Sequence, residues 1–199
     1  MKFSCVIPSL NPKREWIQQT LYSCEVFDEV LIDIERTTDF NDLSYVEKTE
    51  NLLKLCKGDW ISIISDDDWF NVEGLKQLID LAKNTDVDII CTPFYQVENN
   101  KIYKVGNKNI DDSIFKENFL NPASLFRRKV WEDIHFTGEY AQDWLFWLRA
   151  YKKKYSFKYI DIPTYYHRIR KDSLCRRQYA KFGNNFNQFR EYILTEVDK

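Results

Sequence analysis

Trp60-Ile-Ser-Ile-Ile-Ser-Asp66-Asp67-Asp68-Trp69 is the stretch that decides how these 199 residues are read. A short apolar run, rich in β-branched residues, follows Gly58 and stops at three consecutive aspartates. That pattern predicts a buried strand. Three neighbouring carboxylates are unfavourable. At about 6 Å and an effective dielectric of 20, each charged pair repels by roughly 3 kcal/mol. A divalent cation held by hard oxygen ligands would offset that repulsion. Open α/β sheets bind ligands just beyond the carboxyl ends of their strands, which is where these residues fall. The plainer alternative is a solvated turn in which an aspartate caps the next helix.

Before this stretch, Phe3-Ser-Cys-Val-Ile-Pro8 reads as a strand ended by proline. Asn11 caps a helix with Pro12 in its first turn, and Ile17, Leu21 and Cys24 recur at helical spacing. Val30 to Ile34 is a second strand, closing on the acids Asp33 and Glu35. Asn41 to Lys57 is a helix stopped by Gly58. Beyond the aspartates, Leu75, Leu78, Ile79 and Ala82 mark a helix and Val87 to Cys91 a strand. Phe94–Val97 and Ile102–Val105 form a hairpin, and residues 105–118 lack a clear period. An apolar segment begins at Leu125, and Val130-Trp131 opens a short helix. Asp143 precedes an amphipathic helix through Trp144, Leu145, Leu148 and Tyr151, and Tyr159 to Pro163 is a late strand. The expected fold is α/β: a mostly parallel central sheet with helices on both faces and a small antiparallel portion. No internal repeat or linker is visible, so one domain is expected over residues 1–199.

Composition limits the function classes. Aromatic content of 16% and only 5 glycines argue against disorder. A net charge of -2 excludes a general polyanion binder. Charge is uneven, however: from Arg149 to Lys181 eleven basic residues face only Asp161 and Asp172. That bias suits a phosphate-bearing ligand, an anionic membrane surface or a nucleic acid, or else a solvated helix face. Five cysteines with no CxxC read as small core residues in a reducing compartment. With no signal peptide and no bilayer-length apolar run, a cytoplasmic protein is expected, at most peripheral at a membrane.

Four segments, in order, resemble the family 2 glycosyltransferases of the GT-A (Rossmann-like) fold. They are Val6-Ile-Pro-Ser-Leu-Asn11, then Lys57 to Asp68 with its DxD-type end. The third is Ala141-Gln142-Asp143-Trp-Leu-Phe-Trp-Leu-Arg149, and the last runs from Ile162 to Ser173. The resemblance covers residues 3 to about 175 and leaves 176–199 as a helical tail. It implies transfer of a sugar from a nucleotide-sugar donor, UDP- or GDP-linked, to a glycan, lipid-linked or protein hydroxyl. It implies Mn²⁺ or Mg²⁺ at Asp66, Asp67 and Asp68, with Asp67 and Asp68 ahead of Asp66. Two positions depart from the family pattern: Gln142 stands for its usual Glu, and Arg170 for a histidine common in its late basic loop.

The resemblance also assigns roles. Asp143 is the candidate base, able to take the acceptor's proton as the sugar is transferred, with inversion inherited from the family. Its alternative is an N-terminal helix residue favoured by the helix dipole. Asp33 and Glu35 fall where the nucleobase is recognised; a carboxylate accepts ring N–H groups. Pro8, Leu10 and Asn11 would lie along the nucleoside, and Asp66 would reach the ribose. Arg168 and Arg170 alternate on an extended segment and would meet the diphosphate from one face. Trp69, Gln142 and Trp144, beside the acids, are the acceptor candidates. His167 is a packed residue or a metal ligand, and His135 is incidental. Two other readings stand beside the transferase: a nucleotide-sugar-binding protein with little activity, and a nucleic-acid-binding module using the basic stretch. The second leaves the acids at three element ends unexplained, and no nucleic acid is expected.

Overall fold

The computed structural model describes residues 1–9, 13–33, 44–99, 101–106 and 110–199. Leu10, Asn11 and Glu35, three of the expected donor contacts, lie outside the described residues. Along the chain the elements are β1 (Phe3–Pro8), α1 (Arg14–Ser23), β2 (Glu29–Asp33), α2 (Tyr45–Leu55), β3 (Trp60–Ile63) and β4 (Trp69–Phe70). Next come α3 (Val72–Ala82), β5 (Ile89–Cys91), β6 (Phe94–Glu98) and β7 (Lys101–Val105). After a 3₁₀ turn over Asp112–Phe115 follow β8 (Leu125–Arg127), α4 (Arg128–Ile134) and α5 (Gln142–Lys152). The last are β9 (Phe157–Tyr159), β10 (Tyr165–Arg168), α6 (Leu174–Ala180) and α7 (Phe186–Glu196).

Six strands form the main sheet in the order β2-β1-β3-β8-β5-β9. β1 runs parallel to β2 and β3, and β5 parallel to β9; β8 enters antiparallel between β3 and β5. The expected mostly parallel sheet is therefore found, with one reversed strand inside it. Side chains of β1 and β3 alternate between two cores because strand residues point to opposite faces. Val6, Ile61 and Ile63 pack with α2, α4, α5 and α7. Cys5, Ile7, Trp60 and Ile64 pack with α1 and α3 on the other side. Burial on both faces explains why the strands read as continuous apolar runs. Each such side chain contributes about 1.5–3 kcal/mol. The central position of β3 then delivers the aspartate turn to the middle of the sheet's carboxyl edge.

A second sheet, in the order β4-β10-β6-β7, closes over that edge. β10 pairs antiparallel with β4 and parallel with β6, and the β6–β7 hairpin is the expected antiparallel part. Two expectations shift. The late strand is Phe157–Tyr159, not Tyr159–Pro163. The Ile162 N–H turns back to the Ile160 carbonyl at 2.8 Å, and Pro163 has no N–H to extend the ladder. The helix expected from Asn41 is described from Tyr45, where the Ser44 hydroxyl accepts from Glu47 N–H in a capping box. Gly74 lets α3 lie close to the segment before β10, since a Cβ there would fall 2.4 Å from the Pro163 carbonyl oxygen.

Candidate active site

The aspartate turn is buried: Asp66, Asp67 and Asp68 are 8%, 9% and 1% exposed. Burial leaves the chain to neutralise three carboxylates largely with its own groups. Asp68 is the most fully engaged. Its Oδ1 accepts the Arg168 N–H at 2.7 Å, its Oδ2 accepts the Tyr165 hydroxyl, and His167 Nδ1 lies 3.2 Å from that oxygen. Asp67 Oδ2 meets Arg170 Nε at 2.7 Å, a close ion pair without the alignment of a hydrogen bond. Asp66 Oδ2 accepts the Ser9 hydroxyl at 2.7 Å, tying the turn to the end of β1. From α1, the Thr20 hydroxyl donates to the Asp68 carbonyl at 2.6 Å.

β10 supplies most of these partners because its residues alternate. Tyr165 and His167 face the aspartates. Tyr166 turns the other way, its ring stacked between Trp69 and Tyr95 with centroids 5.0 and 4.9 Å away. Arg168 lies across the outer rim, with Nε donating to the Asp67 carbonyl at 2.9 Å and Nη2 to Gln19 at 2.8 Å. Its guanidinium covers Trp69 and Trp16. Arg168 and Arg170 thus both gather around Asp67.

Asp143 is supplied by the first turn of α5. α5 begins just after Ala141, whose φ of 44° and ψ of 50° are left-handed. Such a backbone costs a residue with a Cβ about 1–2 kcal/mol. Asp143 accepts from the Asn118 side chain at 2.9 Å. Burial raises its pKa, outweighing the donors from Asn118 and the helix N–H groups. Two side chains link it to the triplet. The His167 imidazole is penalised by burial but held above its ordinary pKa by Asp68, Asp67 and Asp143 together. The Tyr45 phenol is pushed well up by burial and by Asp143, Asp66 and Asp68. Both therefore stand within electrostatic reach of Asp143 and of the triplet.

One carboxylate of the triplet, Asp67, remains undercompensated. Burial, then the charge of Asp68, and less strongly that of Asp66, push the Asp67 carboxyl up to about 6, despite Arg170 and His167. No group of three or more His, Cys, Asp or Glu side chains converges in ligating geometry among the described residues. The donor set nevertheless fits a hard divalent ion of the kind that takes one or two carboxylates and completes its shell with substrate phosphates. Asp67 fits best, because both oxygens of Asp68 already accept hydrogen bonds, from the Arg168 N–H and the Tyr165 hydroxyl.

The other expected residues separate. Pro8 ends β1 directly beside Asp33 at the end of β2, so these two share the sheet's carboxyl edge. Gln142 is buried, donates to the Glu139 carbonyl at 2.9 Å, and lines a cavity next to Asp143. Trp69 is half-buried and already stacked on Tyr166. Trp144 is 1% exposed, donates to the Ile114 carbonyl at 2.7 Å and is covered by Phe186. Its ring is part of the core and offers no face to an acceptor, which corrects the expectation. His135 pairs with Glu50 at 3.1 Å, away from the site. Sequence reasoning missed Tyr45, Asn118, Tyr165 and the fully buried Lys48, whose Nζ donates to the Ser9 carbonyl at 2.9 Å. Tyr165 alone carried a readable signal, two residues before His167 on one strand face.

Comparison with curated proteins gave no match. Among solved structures, the chain is similar to S. aureus TarS 1-349 in complex with UDP, at 20% identity and a TM-score of 0.68. That match covers 85% of this chain and 61% of the other. TarS 1-349 in complex with UDP-GlcNAc matches at 18% identity and 0.67, covering 87% and 60%. A197 from STIV matches at 19% identity and 0.54, covering 85% and 87%. These likenesses establish the fold, and the chain spans about three fifths of the TarS fragments. The model of glycosyl transferase family 2 matches residues 49–155, more than half of the chain, from within α2 through the aspartate turn to just past α5. The chain belongs to glycosyl transferase family 2.

Proposed function

We propose that the protein transfers a sugar from a nucleoside-diphosphate sugar, with UDP the first choice of nucleotide, to a hydroxyl acceptor with inversion. The observation that carries this reading is the meeting of the two groups of acids at His167 and Tyr45: His167 Nδ1 lies 3.2 Å from Asp68, and both side chains feel Asp143 as well as the triplet. The nucleoside lies along Pro8 and Asp33, at the carboxyl ends of β1 and β2, and Ser9 holds Asp66 toward it. The UDP and UDP-GlcNAc complexes of the structurally similar TarS favour a uridine donor.

In the reaction the acceptor oxygen bonds to the anomeric carbon as the bond from that carbon to the diphosphate oxygen breaks. Asp143 takes the acceptor's proton. Burial raises its pKa, which makes it a stronger base than a solvated carboxylate. Negative charge collects on the departing diphosphate; the Arg170 guanidinium beside Asp67 is a fixed positive group there, and the His167 imidazole lies next to Asp68. Mn²⁺ or Mg²⁺, held by Asp67 with Asp66 and Asp68 beside it, would supply Lewis-acid stabilisation to the same leaving group. The acceptor's hydroxyl is that of a glycan, a lipid-linked sugar or a protein. Among the described residues, no helix is long and apolar enough to cross a membrane.

A thermal-shift screen of nucleotide sugars, with and without Mn²⁺, tests this. A donor at a hundred times its dissociation constant stabilises by about 2.7 kcal/mol. A UDP-sugar shift that grows with Mn²⁺ and loses that increment in Asp67→Ala supports the reading. Failure of every nucleotide sugar to raise the melting temperature overturns it.

A further inference from the structure

At the start of α5, where the lining residue Gln142 precedes Asp143, lies a cavity of about 400 Å³, within the usual size range of ligand pockets. α2 contributes Tyr45, the start of α5 contributes Gln142, and α6 with the residues after it contributes Arg177, Gln178 and Lys181. Tyr45 lines this space, and its phenol also feels Asp143, Asp66 and Asp68. The lining residue Gln178 accepts the Ala141 N–H at 3.3 Å, two residues before Asp143, so the cavity borders the start of the helix that carries the candidate base.

Its charge is not neutral. Lys181 is paired with the cavity's one carboxylate, Glu139, at 3.5 Å. Nearby basic residues are similarly committed: Arg170 to Asp67 and Arg176 to Glu98. Arg177 has no ion pair among the described residues and is exposed on the cavity wall. It is the uncompensated charge of the pocket. A guanidinium free to present parallel N–H groups is suited to a phosphate or carboxylate. The remaining lining, tyrosines and glutamines, suits the apolar faces and hydroxyls of a sugar.

We propose that this cavity is the acceptor subsite and that Arg177 selects an acceptor carrying an anionic group, phosphate or carboxylate, on the same molecule as the reacting hydroxyl. The inference rests on the transferase reading and narrows its acceptor class. The test uses a matched pair of probes, a methyl glycoside and the same glycoside bearing a phosphate monoester. Binding to the full chain is measured by calorimetry at low salt. The phosphorylated probe is expected to bind at least tenfold tighter. Arg177→Ala is expected to bring the two within about twofold, and Arg177→Lys to keep part of the preference. Equal binding of the pair, binding of neither, or a preference that survives Arg177→Ala overturns the proposal. UDP-sugar binding is measured separately on the same sample. Its absence counts against the transferase reading, whereas donor binding without anion preference counts against the acceptor subsite alone.

Discussion

Replacing Asp67 with asparagine should stabilise the protein at neutral pH. The carboxyl titrates near 6 in the folded chain against an ordinary value of 3.8. Between those values the folded state binds a proton that the unfolded state has released, so stability falls as pH rises through that window. About two units correspond to about 3 kcal/mol. The Arg170 pair is already within that balance, because its charge lowers the same pKa. For a chain of this size, 3 kcal/mol moves the melting temperature by about 6–12 °C. Melting curves of the two proteins from pH 4 to pH 8 are the assay. The curves should lie close together near pH 4 and separate by pH 7, with the asparagine variant higher. Adding Mn²⁺ at pH 7.5 should raise the original protein and leave the variant nearly unmoved. Parallel curves across the whole range would refute the claim that the triplet holds an undercompensated charge.

Other expectations follow from single contacts. Tyr165→Phe removes the buried hydroxyl that donates to Asp68, and a hydrogen bond to a charged group contributes about 2 kcal/mol. Its melting temperature should fall by about 4–8 °C, and no fall would mean that Asp68 is satisfied without it. Ala141→Gly relieves the left-handed backbone ahead of Asp143, partly offset by the freer unfolded chain. A net gain of up to about 1 kcal/mol should appear as a rise of about 2–4 °C, and a drop would contradict the conformation. Gly74→Ala places a methyl group against the Pro163 carbonyl and should cost about 1–3 kcal/mol in the same melting assay. An unchanged melting temperature would mean that α3 does not lie that close.

Much of the fold was legible because its strands are buried on both faces. β1 and β3 announce themselves as apolar runs, and α2, α3 and α5 by helical spacing. β8 was only half legible: Leu125-Phe126 marked an apolar segment, but three residues do not tell direction, and antiparallel entry between β3 and β5 is a tertiary choice. β4 is two residues long and exists only through its pairing with β10. Within the site, the acids were visible since charge at the end of an apolar run is locally unfavourable. Their partners were not. Tyr165 and Tyr45 look like ordinary core aromatics until the fold brings them against carboxylates. Trp144 shows the converse: next to Asp143 in sequence, it points into the core because successive helix residues leave on different faces. Gln142 was noticed for the charge it lacks, and its place in the wall of a second cavity depends on α6 folding back across α5.

The central claim is that Asp143 takes the acceptor's proton as the sugar is transferred. The most direct measurement pairs donor affinity with single-turnover release of the nucleoside diphosphate in Asp143→Asn. Donor affinity within about threefold of the original, with release slowed by at least 100-fold, is the result expected of a general base. Release at an undiminished rate in that variant would contradict it.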